Sequence, residues 1–312
     1  MLKIGLISAA TYGYMDAPRT PGSNHGTAFA TTFNGFDEAK AKQFTGTFVR
    51  AKRRLEGAQV VRVWDPHKES AARLADVCSI PKVCDSPDEC AEGVDAVIII
   101  DDGSGEQSKY AATPLRKGVP TFCDKPLAMT AKKAQAVAAL ARQTGTPFMS
   151  ASSLRFVPDI LALKKDLAKL GSVYLATTIC GNELVYYGIH ALEMAYAVVG
   201  RGAVSCCNVG QPGMNIVRVR FANHLDVVLM VGEREWMAPG YQISVHGQKG
   251  WQTVKPNLAD LYYYLLEQFL NYVKTGKEVV PIEEEVEVIA VLEAGKRSMI
   301  ENREVTLAEV LA

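Results

Sequence analysis

Lys3-Ile4-Gly5-Leu6-Ile7-Ser8-Ala9-Ala10-Thr11-Tyr12-Gly13 decides the fold. Its first half is a short apolar strand, and it breaks into small residues where a strand would hand over to a helix. Further strands follow at Gln59 to Trp64, Ala96 to Ile100, Thr121 to Cys123 and Pro147 to Ser150, separated by amphipathic helical stretches. Strands alternating with helices indicate parallel βαβ units. Val97-Ile98-Ile99-Ile100 is apolar on both faces, as suits a central strand covered by helices on either side. Thr130 can cap a helix with Ala134, Val137, Ala138 and Ala141 on one face, and Gly145 can end it. The expected architecture is α/β, with a doubly wound parallel sheet over residues 1–150.

After about residue 150 the character changes. Strand-like runs at Val173 to Ile179, Ile216 to Phe221, Asp226 to Val231 and Gln242 to His246 indicate a second, sheet-based domain over residues 151–312. Two helices finish it: Leu258, Leu261, Leu265, Phe269 and Val273 recur at helical spacing before Gly276, and a second helix runs from about Glu283 past Leu292.

Composition limits the function. The chain has 312 residues, 34 basic against 34 acidic, so no positive field gathers nucleic acid or an anionic membrane, and a small-molecule partner is the default. The seven cysteines form no CxxC pair and have no paired His ligands, which argues for buried free thiols in a reducing compartment and against a metal site. The start lacks a charged region followed by a long apolar one, and no run approaches the roughly 20 apolar residues that span a bilayer. A cytoplasmic protein is expected.

The end of the first strand stands where a dinucleotide-binding Rossmann fold carries GxGxxG, whose glycines permit a tight turn and close approach of backbone to pyrophosphate. Here Ser8 and Ala10 replace two of the three and only Gly13 remains. Asp65 closes the second strand, where a carboxylate accepts from adenosine ribose hydroxyls and repels a 2′-phosphate; NAD is then favoured over NADP, and His67 and Lys68 soften that exclusion. The alternative is a solvated residue opening the turn Asp65-Pro66-His67. From Gly13 to Asp65 is 52 residues, against about 20 in the usual fingerprint. An insertion at about 14–36 is therefore expected to hang over the ligand crevice as a lid, with His25 offered to substrate, and the phosphate-receiving helix to begin only near Asp37 with Phe44, Phe48, Ala51 and Leu55 facing the core.

Lys3-Ile4-Gly5-Leu6-Ile7, Trp64-Asp65-Pro66, Asp124-Lys125-Pro126-Leu127, Arg155-Phe156-Val157-Pro158 and Gly188-Ile189-His190 occur in an order that resembles the glucose-fructose oxidoreductase, inositol dehydrogenase and MocA family over nearly the whole chain. The resemblance implies a hydride-transferring oxidoreductase using NAD, with NADP as the variant, on a sugar, polyol or related small substrate. It also implies a C-terminal α+β domain with a large, mostly antiparallel sheet, and a homodimer or homotetramer. In that family Glu-Lys-Pro supplies a lysine at the nicotinamide end, the proline commonly cis; Asp124-Lys125-Pro126 is similar, and burial would lower the lysine toward proton-relay range.

The family's Asp-x-Gly-x-His reads Tyr186-Tyr187-Gly188-Ile189-His190 here, which makes His190 the implied general base and puts Tyr186 where an acid is usual. Tyr187 and Arg155 are the accompanying candidates for substrate. The family's usual segment after the fourth strand is replaced by Asp101-Asp102-Gly103-Ser104-Gly105-Glu106, three acids near the expected nicotinamide ribose or a solvated turn. Two other functions stay open: a tightly held cofactor used for glycoside cleavage or epimerisation, and a binding or regulatory protein without turnover, to which the lost glycines and Tyr186 point.

Overall fold

The computed structural model describes residues 1–14, 17–233 and 235–312; residues 15 and 16 of the expected insertion lie outside them. The chain begins with β1 (Leu2–Ile7), a hairpin of β2 (Thr11–Tyr12) and β3 (Thr20–Pro21), α1 (Asn24–Asn34) and α2 (Glu38–Lys42). It continues through β4 (Ala58–Trp64), α3 (Lys68–Cys78), β5 (Lys82–Val83), β6 (Ala96–Ile99), α4 (Ala112–Arg116), β7 (Thr121–Cys123), α5 (Ala131–Thr144) and β8 (Phe148–Ser150).

These strands form one parallel sheet in the order β5-β4-β1-β6-β7-β8. That is the doubly wound order of a Rossmann sheet, and its direction reverses between β1 and β6, where such folds place ligands at the carboxyl ends of the strands. Ala96 to Ile99 are wholly buried, which explains why the run is apolar on both faces.

The helix after β1 is not the one expected. It is α1, and residues 25–33 are all buried, so this stretch is a core helix and no lid. Ser23 caps it, its hydroxyl accepting from the Gly26 N–H. Gly26 is required: a Cβ there would stand 1.8 Å from the Ala9 carbonyl oxygen. It performs the close helix-on-strand packing expected of the third fingerprint glycine. Gly13 does not; it follows β2, and its N–H donates to the Asp102 carbonyl. The region expected to form the phosphate helix gives only the five residues of α2; beyond it Phe48, outside any helix, packs edge-on to Phe36 and tilted against Phe44.

The rest of the chain comprises α6 (Pro158–Asp166), β9 (Val173–Gly181), α7 (Gly188–Val199), β10 (Ala203–Asn208), β11 (Met214–Phe221), β12 (Asp226–Gly232), β13 (Tyr241–Gly247), β14 (Gly250–Val254), α8 (Leu261–Thr275), α9 (Ile282–Glu301), β15 (Val305–Thr306) and α10 (Leu307–Leu311). Its sheet runs β14-β13-β9-β12-β11-β10-β15, antiparallel throughout except for β9 beside β12. Helix α7 packs on β9, β12 and β13.

In space the division is not a single cut at residue 150. One unit comprises Met1–Ala128, Gln135–Ala151 and Tyr262–Ile282; the other comprises Met129–Ala134, Ser152–Leu261 and Glu283–Ala312. Helix α8 therefore belongs with the parallel sheet, where Phe269 packs on Phe122 and Tyr262 on Phe29. Leu258 lies outside α8 and is exposed. No helix among the described residues is long and apolar enough to cross a membrane.

Candidate functional site

In the first unit the functional side chains gather at the carboxyl ends of β1, β4, β6 and β7. Asp65 follows β4 and is almost wholly buried. Its carboxylate accepts from the Ala10 N–H (2.9 Å), the Thr11 hydroxyl (2.9 Å) and the His67 N–H (2.9 Å). It thereby fixes the turn that replaces the glycine fingerprint, and the Ala10 N–H is spent on Asp65. The His67 ring makes no side-chain cap at the start of α3.

Ser8 (φ 56°) and Asp101 (φ 42°) both leave their strands in the left-handed region, a conformation held only where the surroundings enforce it. Arg19, from the loop before β3, enforces it. Its guanidinium pairs with the Asp101 carboxylate and donates to the Ser8 and Ser104 hydroxyls at 3.3 Å. The acidic turn is thus a folded device. Asp101 also accepts from the Glu106 N–H at 2.9 Å, while Asp102 accepts from the Ser23 hydroxyl (3.0 Å) and the His25 N–H (3.3 Å), placing its charge at the positive end of α1.

Asp124 and Lys125 follow β7, both buried, and the Lys125–Pro126 peptide is cis. His25, in the first turn of α1, sets Nδ1 2.5 Å from Asp124 Oδ2. Its ring rests beside Phe29 and Tyr262. Burial opposes a charged ring, yet the carboxylates of Asp124 and then Asp102 outweigh it and raise the affinity of His25 for a proton. His25 is accordingly turned to Asp124 instead of being offered outward.

Two observations fit a nicotinamide dinucleotide in this crevice, and one opposes it. Asp65 ends β4, where its charge disfavours a 2′-phosphate, and Gln107, which donates to the Ile100 carbonyl at 2.6 Å, keeps a buried Oε1 with no hydrogen bond, an acceptor suited to a carboxamide; the Asp102 carboxylate, however, stands at the start of α1, where pyrophosphate is usually received. Gln107 escapes a reading of the sequence, since it belongs to no motif.

In the second unit His190 lies in the first turn of α7, buried, with Nδ1 2.6 Å from the Ser152 hydroxyl. The rings of Tyr187 and Tyr241 stand edge-on to it at 5.9 and 5.6 Å. Burial pushes the Tyr241 phenol upward, so it stays protonated as a donor. Tyr187 and Tyr241 also line a cavity of about 310 Å³ with Asn182, Met237, Pro239 and Leu258. No charged side chain lines it among the described residues. Tyr186 is buried against Tyr187, and its backbone N–H donates to Glu183 at 2.6 Å.

Arg155 requires a correction. Its guanidinium is buried and pairs with Glu193 (3.2 Å), Glu284 and Glu285 (3.9 Å), so it serves a buried ion cluster and not a substrate. Burial raises Glu193 to about 7 and Glu285 well above the usual carboxylate range. Glu193 in turn accepts from the Ser152 N–H at 2.8 Å, which fixes the residue that holds His190. Ser152, Glu193 and Tyr241 carry no sequence signal of their own; they matter through contacts with residues far along the chain.

The model of the oxidoreductase family with an NAD-binding Rossmann fold (Gfo/Idh/MocA) matches residues 26–152. Inositol 2-dehydrogenase 4 of Saccharopolyspora erythraea is 30% identical over 126 residues, which are 38% of this chain and 36% of that protein. The alignment thus spans about a third of that relative's length. Inositol 2-dehydrogenase of Rhizobium meliloti is 22% identical over 310 residues, covering 80% of this chain and 92% of the relative. The scyllo-inositol dehydrogenase of Lactobacillus casei, solved with NAD(H) and scyllo-inositol, superposes with a TM-score of 0.78 at 14% identity, over 99% of each chain, which shows the shared fold.

Proposed function

Because residues 26–152 match the family model of NAD-binding Rossmann oxidoreductases and the inositol dehydrogenases are similar, we propose that the chain is a Gfo/Idh/MocA oxidoreductase that transfers a hydride between NAD and the carbinol of a neutral polyol or sugar. The observation that carries this is Lys125, buried after β7 beside the reversal point of a Rossmann-ordered sheet. When bound, the nicotinamide supplies the hydride acceptor. Lys125 hydrogen-bonds the reacting oxygen through Nζ and stabilises developing alkoxide. His190 is the second proton carrier, its ring held at Nδ1 by the Ser152 hydroxyl. Tyr186, where the family has an acid, adds no negative charge, and its role is to orient.

The uncharged, aromatic cavity beside His190 supports a neutral polyhydroxylated ring over an acid or an amine. Exposed Tyr174 and Trp251 on the second sheet support self-association into a dimer or tetramer, and free, mostly buried cysteines support a reducing, cytoplasmic setting. The test is NAD reduction by a panel of inositols and sugars. A second reading, a binding protein without turnover, is favoured by Asp102, whose carboxylate occupies the helix end that usually receives pyrophosphate. Binding of NAD with no reduction by any member of the panel would select it.

A further inference from the structure

His25 and Asp124 are 99 residues apart in sequence, yet form a buried pair immediately before Lys125. A structural explanation alone does not suffice. A positive ring in the first turn of α1 opposes the helix dipole, and a neutral amide could bond Asp124 without that cost. The titratable groups facing the ring are Asp102 after β6, Asp124 and Lys125 after β7, and the Tyr262 phenol in the first turn of α8.

The geometry points to His25 and Asp124 as an ion pair that sets the charge at which Lys125 works, with His25 a positioning residue for proton transfer. This rests on the proposed role of Lys125. Imidazolium neutralises the carboxylate nearest the lysine in sequence. The Lys125 ammonium opposes a charge on His25, and the effect between like charges is mutual, so imidazolium also eases release of the lysine proton. In the reaction the amine accepts the substrate's hydroxyl proton as hydride departs to the nicotinamide. With His25 neutral, the charge of Asp124, one residue before Lys125, is left uncompensated and the lysine binds its proton more tightly.

The test is NMR titration of the whole chain labelled with ¹³C at histidine and lysine side chains, with His25 and Lys125 assigned from His25→Gln and Lys125→Arg. In the wild type His25 titrates above about 6.5, the ordinary value. In His25→Gln or His25→Asn the Lys125 titration moves up by about one pH unit, a tenfold gain in proton affinity, and in His25→Gln/Asp124→Asn it returns toward wild type. The rising limb of kcat against pH moves in the same direction. A wild-type His25 titrating at or below the ordinary value, or a Lys125 titration unmoved in a folded His25 variant, overturns the inference. These signals need no turnover, so absence of NAD reduction would overturn the proposed activity while the titrations still decide the pair.

Discussion

Replacing Asp65 by Ala separates the turn-holding role of this carboxylate from a purely ligand-binding one. The variant leaves the Ala10 N–H, the His67 N–H and the Thr11 hydroxyl without their acceptor. Each buried donor left unpaired costs about 1–3 kcal/mol, and relaxation with water entry recovers part, so a total near 3 kcal/mol is expected. At about 2–4 °C per kcal/mol for a unit of this size, the first unit should melt about 6–12 °C lower. Asp65→Asn keeps one acceptor oxygen and should lose roughly half as much. Calorimetry gives the melting shift, and titration with NAD and NADP gives the affinities. The expected joint result is a destabilised Asp65→Ala with weakened NAD binding and a narrower preference over NADP. A melting temperature within about 2 °C of wild type would refute the idea that this carboxylate holds the turn.

Lys125→Ala and His190→Ala should each lower turnover by about 10²-fold or more with little change in NAD affinity, and Tyr186→Phe should cost less, as steady-state kinetics with a verified substrate will tell. Gly26→Ala drives a Cβ into the Ala9 carbonyl at 1.8 Å and should destabilise by about 4 kcal/mol or more, read by urea unfolding. Burial raises Glu193, to about 7, and Glu285 above their unfolded values, so folding favours their protonated forms; the stability this lends is full below about pH 4.3 and is lost as pH climbs through about 7. Glu285→Gln removes one ionisation, and its melting temperature relative to wild type should rise from about pH 5 to about pH 8.

The parallel sheet was legible because its strands are short apolar runs bounded by turn residues, and Asp65 because it ends such a strand, whereas Lys125 was singled out only through the resemblance of Asp124-Lys125-Pro126 to the family's Glu-Lys-Pro. Helix α1 was not. Thr27, Thr31 and Thr32 depress helix propensity, and burial is tolerated because their hydroxyls donate to backbone carbonyls, Thr27 to Ser23, Thr31 and Thr32 to Ala28. Ser23 was the available signal, a cap preceding Ala28, Phe29 and Phe33. Arg155 misled because a motif position says nothing of its partners: Glu284 and Glu285 lie about 130 residues away. The return of α8 to the first unit depends on long-range packing of Phe269 on Phe122, which periodicity cannot express.

Hydride transfer to NAD is read as the absorbance of reduced nicotinamide when purified protein is mixed with NAD and each of a set of inositols and sugars. NAD reduction by at least one neutral polyol is expected, faster than with NADP and lost in Lys125→Ala. No reduction of either dinucleotide by any member of the set, or equal reduction by the Lys125→Ala variant, would contradict it.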